Sequence, residues 1–130
     1  MSRGLGKLQR ELLTILEESD KATDTITLAA DAYRVEPDVN GFRRVTDAQH
    51  AAVRRALCSL HRRGLVVELG RHRHRDNRRY WASLKAGLPD RLRIFQFEAT
   101  GFGIQSSPAR AAAVAAEIAT IQKRMKQLGI

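Results

Sequence analysis

Residues 46–83, TDAQHAAVRRALCSLHRRGLVVELGRHRHRDNRRYWAS, constrain the chain more than any other stretch. Their apolar pattern changes period once, from about 3.6 to about 2, at a glycine. Thr46 stands where an N-cap belongs, and Gln49 three residues later completes a capping box. Asp47 puts negative charge in the first turn, where the helix dipole favours it. Gly64 follows Arg62 and Arg63, the expected glycine after a basic last turn. Between these ends Val53, Leu57 and Leu60 recur at spacings of four and three, with Ala56 beside them, as one apolar stripe facing a core. The other face carries Gln49, His50, Arg54 and Arg55, then Ser59 and Arg62. Residues 65–69 and 79–84 are short β-rich runs around GRHRHRDNR, with Asp76-Asn77 as a turn pair. The pattern predicts a helix, a turn and a β-hairpin with a basic tip.

The charge follows the same stretch. The chain carries +9, and residues 43–80 hold eleven arginines, no lysine and three acids, a net +8. All four histidines lie there too. Arginine suits bidentate contacts to phosphate and guanine better than lysine's point charge does. One cysteine, Cys58, cannot form an intrachain disulfide, which points to a reducing compartment. No run of about 18 apolar residues exists, and the start, MSRGLGKLQRELL, has no apolar core of secretory type. The expectation is a cytoplasmic, nucleoid-associated protein with no membrane partner.

Chemistry is hard to assemble from these residues. Cys58 and His61 share a helix face, and His72 and His74 sit between arginines, but a structural zinc site needs four ligands. No phosphate-binding glycine loop, nucleophile elbow or paired-carboxylate setting is present. The chain is expected to hold no metal or cofactor and not to be an enzyme.

The residues Thr46, Gln49, Val53, Arg54, Arg55, Leu57, Leu60, Gly64, Leu65 and Val66 form T-x-x-Q-x-x-x-V-R-R-x-L-x-x-L-x-x-x-G-L-V. This resembles the winged helix-turn-helix transcription regulators, including the MarR-like, ArsR-like and PadR-like groups, over residues 5–84. The resemblance implies a mainly α fold with a small β-hairpin, a winged helix-turn-helix with a C-terminal dimerisation helix. It implies that helix 47–63 enters the major groove of double-stranded DNA, with Gln49, His50, Arg54 and Arg55 at base edges. Arg43 and Arg44 before that helix, and Arg71, Arg73, Arg75, Arg78 and Arg79 on the wing, would contact the backbone or minor groove.

Elsewhere, residues 4–19 read as a scaffold helix with Leu5, Leu8, Leu12, Ile15 and Leu16 inward. Thr25-Ile26-Thr27 reads as a first small strand, and Thr27 as the cap of a second helix over residues 28–35 that Pro37 ends. Residues 36–46 exceed the usual tight turn. They hold an Asn40-Gly41 turn, with Phe42 and Val45 expected to pin the loop to the core. Residues 85–107 read as a connector, with 92–97 (LRIFQF) either a strand or an apolar link. In the last helix, capped by Ser107 and opened by Pro108, Ala111, Val114, Ile118, Ile121, Met125 and Leu128 fall at spacings of 3, 4, 3, 4 and 3. That seam suits a homodimer, or an amphipathic helix on its own domain. The domain reading is 1–84 for DNA binding, 85–107 for the connector and 108–130 for dimerisation. The expected function is a homodimeric, sequence-specific transcriptional regulator. A replication, partition or architectural DNA-binding protein, and a winged helix that binds RNA or protein, remain alternatives.

Overall fold

Core formation follows the apolar stripes. The computed structural model describes residues 4–69, 78–100 and 108–130. Its elements are α1 (Lys7–Glu18), β1 (Thr23–Asp24), α2 (Thr25–Ala32), α3 (Asp47–Arg62), β2 (Val66–Glu68), β3 (Tyr80–Ser83), α4 (Leu84–Thr100) and α5 (Pro108–Leu128). Leu12 and Leu16 of α1, Leu28 and Ala29 of α2, and Val53, Leu57 and Leu60 of α3 are fully buried in one cluster with Trp81. Leu5, Leu8 and Ile15 pack at its edge. Burying a Leu or Val side chain of this kind contributes about 1.5–3 kcal/mol, so the core rests mainly on these residues.

The three strands form one antiparallel sheet in the order β1-β3-β2. Val66 pairs with Ser83, Val67 with Ala82 and Glu68 with Trp81, while Thr23 pairs with Trp81 and Asp24 with Tyr80. The middle strand is therefore the last in sequence, and it carries the buried Trp81. The chain is mainly helical with this small sheet, an arrangement compatible with a winged-helix-like fold.

The start of α2 differs from the sequence expectation. Thr25-Ile26-Thr27 is not a strand; it is the first turn of α2, and the paired residues lie just before it at Thr23–Asp24. Its β-branched side chains favour a strand, but the Asp24 carboxylate accepts the Thr27 N–H at 3.2 Å and the Thr27 hydroxyl at 2.6 Å. Asp24, not Thr27, is the cap. The helix also ends before Pro37 does the work. Arg34 takes φ 53°, and Val35 N–H donates to Ala30 O at 2.9 Å, which closes the helix in a Schellman-type turn.

Phe42 is a second correction, being 64% exposed. Val45 alone of the expected pair packs on the core. Polar groups hold the loop instead: Arg43 Nε donates to Val35 O at 2.9 Å, and its Nη1 to Asp31 at 2.6 Å.

The third correction concerns residues 92–97, which are helical within α4 and form no strand. Their alternation is short enough to fit either state. Leu88 is buried, and Leu92 and Phe95 are half-buried, at spacings of four and three, the helical period. Ser83 Oγ accepts the Ala86 N–H at 3.2 Å and closes the first turn of α4.

The chain divides into two compact units, Met1–Gly87 and Leu88–Ile130. Within the second, Arg110 of α5 grips Glu98 of α4 with two hydrogen bonds of 2.7 and 2.9 Å. Ser107, expected to cap α5, lies outside the described residues.

Gly87 ties the start of α4 to the hairpin. A Cβ there would lie 2.7 Å from Val67 Cβ and 3.0 Å from Ala82 Cβ. Both atoms are anchored directly to strand backbone and cannot swing away. Gly87→Ala should cost about 1–3 kcal/mol, read as a lower denaturant midpoint at unchanged m-value. An unchanged midpoint would show that this contact is slack.

Candidate nucleic-acid interface

The capping box opens α3 as the sequence predicts. Gln49 N–H donates to Thr46 Oγ1 at 3.1 Å, and Thr46 N–H to Gln49 Oε1 at 3.0 Å. Gln49 also stands on the buried stripe, four, seven and eleven residues before Val53, Ala56 and Leu60. Its amide oxygen is engaged at the helix end. Of the four residues expected at base edges, Gln49 is therefore the least able to reach out.

The other three are displayed differently. His50 is half-buried, whereas Arg54 and Arg55 are exposed. Arg62 joins them as a third exposed cation on α3. Among the described residues, Arg54, Arg55 and Arg62 make no ion pair. His50 and Arg54 line a cleft of about 270 Å³ together with Asp24, Thr25, Ile26, Arg78 and Arg79. The cleft thus joins α3, the start of α2 and the root of β3.

Arg79 belongs to the framework. It donates to both Glu68 oxygens, at 3.0 and 2.9 Å, and its guanidinium carbon lies 4.9 Å from the centre of the Trp81 ring. Cys58 Sγ is a weak acceptor for it at 4.0 Å. The Glu68 hydrogen bonds raise the guanidinium pKa further, outweighing burial, so this charge is permanent. Below it in the sheet, Arg79 O accepts the Thr25 N–H at 3.2 Å and the Thr25 hydroxyl at 3.3 Å. Trp81 Nε1 then donates to Thr25 Oγ1 at 2.8 Å. Among the described residues, no buried side-chain nitrogen or oxygen lacks a partner.

Comparison with protein-family models, curated proteins and solved structures finds no match to this chain.

The other expected contacts divide in the same way. Arg43 is held by Asp31 and Val35 O. Arg44 reaches Asp38 at 3.1 Å while remaining 81% exposed, so it can exchange that partner for another anion. Arg78 lies 3.9 Å from Asp24 with most of its side chain in water. Arg71, Arg73 and Arg75 lie outside the described residues. The Glu68–Arg79–Trp81 and Thr25–Trp81 links were not anticipated from the sequence. A usable sequence signal existed in part: Arg79 and Trp81 are two apart in the second β-rich run, a spacing that sets both on one face of an extended chain.

On the seam of α5, Val114 and Ile121 are already buried within a single chain. Ala111, Ile118 and Met125 are half-buried, and Leu128 is exposed.

Asp38 organises the loop before α3. Its Oδ1 accepts the N–H groups of Asn40 and Phe42 at 2.9 and 3.0 Å. The Phe42 N–H chiefly holds its pKa below the ordinary 3.8; desolvation opposes it, and Arg44 and the Asn40 N–H assist. A depressed folded pKa means that the stabilisation is full above the unfolded value and disappears as pH falls through the folded one. An NMR titration should place the Asp38 midpoint below 3.8, with the Phe42 amide shift moving in step. A midpoint at or above 3.8 would contradict this loop geometry.

Two arginines should separate framework from surface. Arg79→Ala leaves Glu68 without its bidentate partner and should cost about 1–2 kcal/mol of stability. Arg55→Ala should stay within about 0.5 kcal/mol of the parent. Thermal melts of both variants check the pair.

Proposed function

We propose that this chain is a sequence-specific double-stranded DNA-binding protein, a homodimeric transcriptional regulator of winged helix-turn-helix type. The observation that carries this reading is the display of Arg54, Arg55 and Arg62 on α3 without acidic partners among the described residues. They sit within the stretch that holds +8 of the chain's +9. A folded protein that leaves such arginines unpaired on one helix presents a surface suited to a polyanion. Arg54 and Arg55 are assigned to base edges, where a guanidinium can take guanine O6 and N7 together. His50 supports them from the edge of the cleft. Arg62, Arg78 and Arg44 are assigned to phosphates, with the wing arginines Arg71, Arg73 and Arg75 along the backbone or minor groove. Arg43 and Arg79 hold the scaffold, and Gln49 holds the helix end.

In the dimer, Ala111, Ile118, Met125 and Leu128 are the seam residues that still have surface to offer a second α5. A two-fold dimer would read an inverted repeat with half-sites about 34–36 Å apart, or a multiple of that. Among the described residues, no helix is long and apolar enough to cross a membrane.

Fluorescence anisotropy with a mixed-sequence duplex and a pool of genomic fragments, each across a salt series, tests the reading. Some fragments should bind far more tightly than the mixed duplex, with affinity falling steeply as salt rises. Arg54→Ala should lose about 1–3 kcal/mol on the preferred fragment and little on the mixed one. Arg73→Ala should weaken both and lower the salt slope by about one unit. Equal loss on both duplexes for Arg54→Ala would remove it from base reading. No binding at low salt would end the DNA assignment.

A further inference from the structure

The cleft that α3 shares with the start of α2 and the root of β3 is cationic, and one of its charges is adjustable. His50 and Arg54 stand one helical turn apart on α3 and line it together, and Arg78 and Arg79 reach it from the residues that lead into β3. Arg79 is spent on Glu68. Asp24 is the one carboxylate in the lining, and it is only 7% exposed. Its two oxygens already accept from the N–H and the hydroxyl of Thr27. The Thr25 hydroxyl is occupied as well, between Arg79 O and the Trp81 indole. The groups left to meet a ligand are therefore Arg54, Arg78 and the His50 ring. Among the described residues, neither Arg54 nor His50 makes a side-chain hydrogen bond or ion pair. Arg78 lies 3.9 Å from Asp24 with 58% of its side chain exposed, so it can turn to an incoming anion.

Charge and size select the occupant. With Glu68 set against Arg79 and Asp24 against Arg78, Arg54 leaves the cleft at +1, and a protonated His50 makes it +2. At about 270 Å³ the cleft is smaller than the roughly 300–1,000 Å³ of pockets that enclose drug-sized molecules. A small anionic group suits it, and the polyanion assigned to the exposed face of α3 carries its charge on phosphates. Histidine is the side chain whose ordinary pKa lets its charge change between about pH 5 and 8. Facing this ring are one carboxylate, Asp24, and three guanidiniums, those of Arg54, Arg78 and Arg79. An anion beside an imidazole favours its charged form, and by linkage the charged form binds the anion more tightly.

We propose that this cleft is a proton-coupled phosphate site: a phosphate group seats against Arg78 and His50, and the His50 ring takes up a proton as it binds. Arg54 adds its charge from the rim while serving the bases. The site rests on the DNA-binding function proposed above for its source, a backbone phosphate; a free phosphate shares the chemistry.

Because the charged ring is the one the complex favours, duplex affinity is highest at low pH and is lost as pH rises. Between about pH 8 and 5.5 it should climb by up to about tenfold per pH unit for one proton taken up. Anisotropy with the mixed-sequence duplex at fixed ionic strength reads this slope. His50→Gln should flatten it. His50→Lys, which keeps a charge, should also flatten it while binding more tightly than the wild type at about pH 8. An unchanged slope in His50→Gln gives the proton to another group and overturns the site. NMR of the wild-type His50 ring at about pH 6.5 supplies a reading that needs no variant. The duplex and inorganic phosphate should each move its ring protons toward the protonated position, and acetate should not. A ring moved by the duplex alone assigns the site to backbone phosphates. A ring that responds to inorganic phosphate in a chain that binds no duplex keeps the phosphate site and ends the DNA assignment. If the duplex binds and the ring does not respond, the site falls and the DNA assignment stands. An equal response to acetate overturns phosphate as the ligand class.

Discussion

The hydrogen bond from the Trp81 indole to the Thr25 hydroxyl is the constraint on which the first unit depends. Trp81 is fully buried, and an indole N–H that leaves water without a partner costs on the order of 1–3 kcal/mol. Thr25 Oγ1 removes that cost at 2.8 Å, and the same hydroxyl donates to Arg79 O. One threonine thereby joins the first turn of α2 to the middle strand of the sheet. With α1 packed on α2, α3 and β3, and α2 on α3, the orientation of α3 is tied to that junction. A strand that shifted by one residue would turn Trp81 to the opposite face and open the core.

The arginines are sorted by what lies within reach once this framework has closed. Arg79 meets Glu68 and the face of Trp81, and Arg43 meets Asp31 and a carbonyl. Both are partly withdrawn from water, where a bidentate or multiply bonded guanidinium is expensive to detach. Arg54, Arg55 and Arg62 face outward without such acids among the described residues. The same residue type thus serves as a rivet in one place and an exposed cation in another. The difference lies in the neighbours rather than in the arginine.

The sequence was most legible where structure is local. The ends of α3 were readable because a capping box and a terminal glycine act within a few residues of themselves. The stripe of Val53, Leu57 and Leu60 was readable because a helical period of about 3.6 is written directly in residue spacing. Misreadings occurred where local preference competed with a more distant partner. Thr25-Ile26-Thr27 has strand-like side chains, yet the Asp24 cap and the bonds to Arg79 and Trp81 draw it into a helix. Residues 92–97 alternate over too short a length to separate two periods, and the helix beginning at Leu84 carries through them. Phe42 is apolar, which favours burial, but the loop turns on Asp38 and leaves the ring outside.

By itself the sequence determined the amphipathic helices, the hairpin after Gly64 and the concentration of positive charge between residues 43 and 80. These follow from spacing, capping and composition, which need no distant contact. Only the tertiary structure decided which charges are spent internally. Glu68 is eleven residues from Arg79, and Asp31 twelve from Arg43. Carboxylates at such separations find their arginines only after the sheet and the helix–loop corner have formed. It also decided that Val114 and Ile121 are covered within one chain. An isolated helix specifies the direction of each side chain, whereas its neighbours in the fold determine which directions still face water.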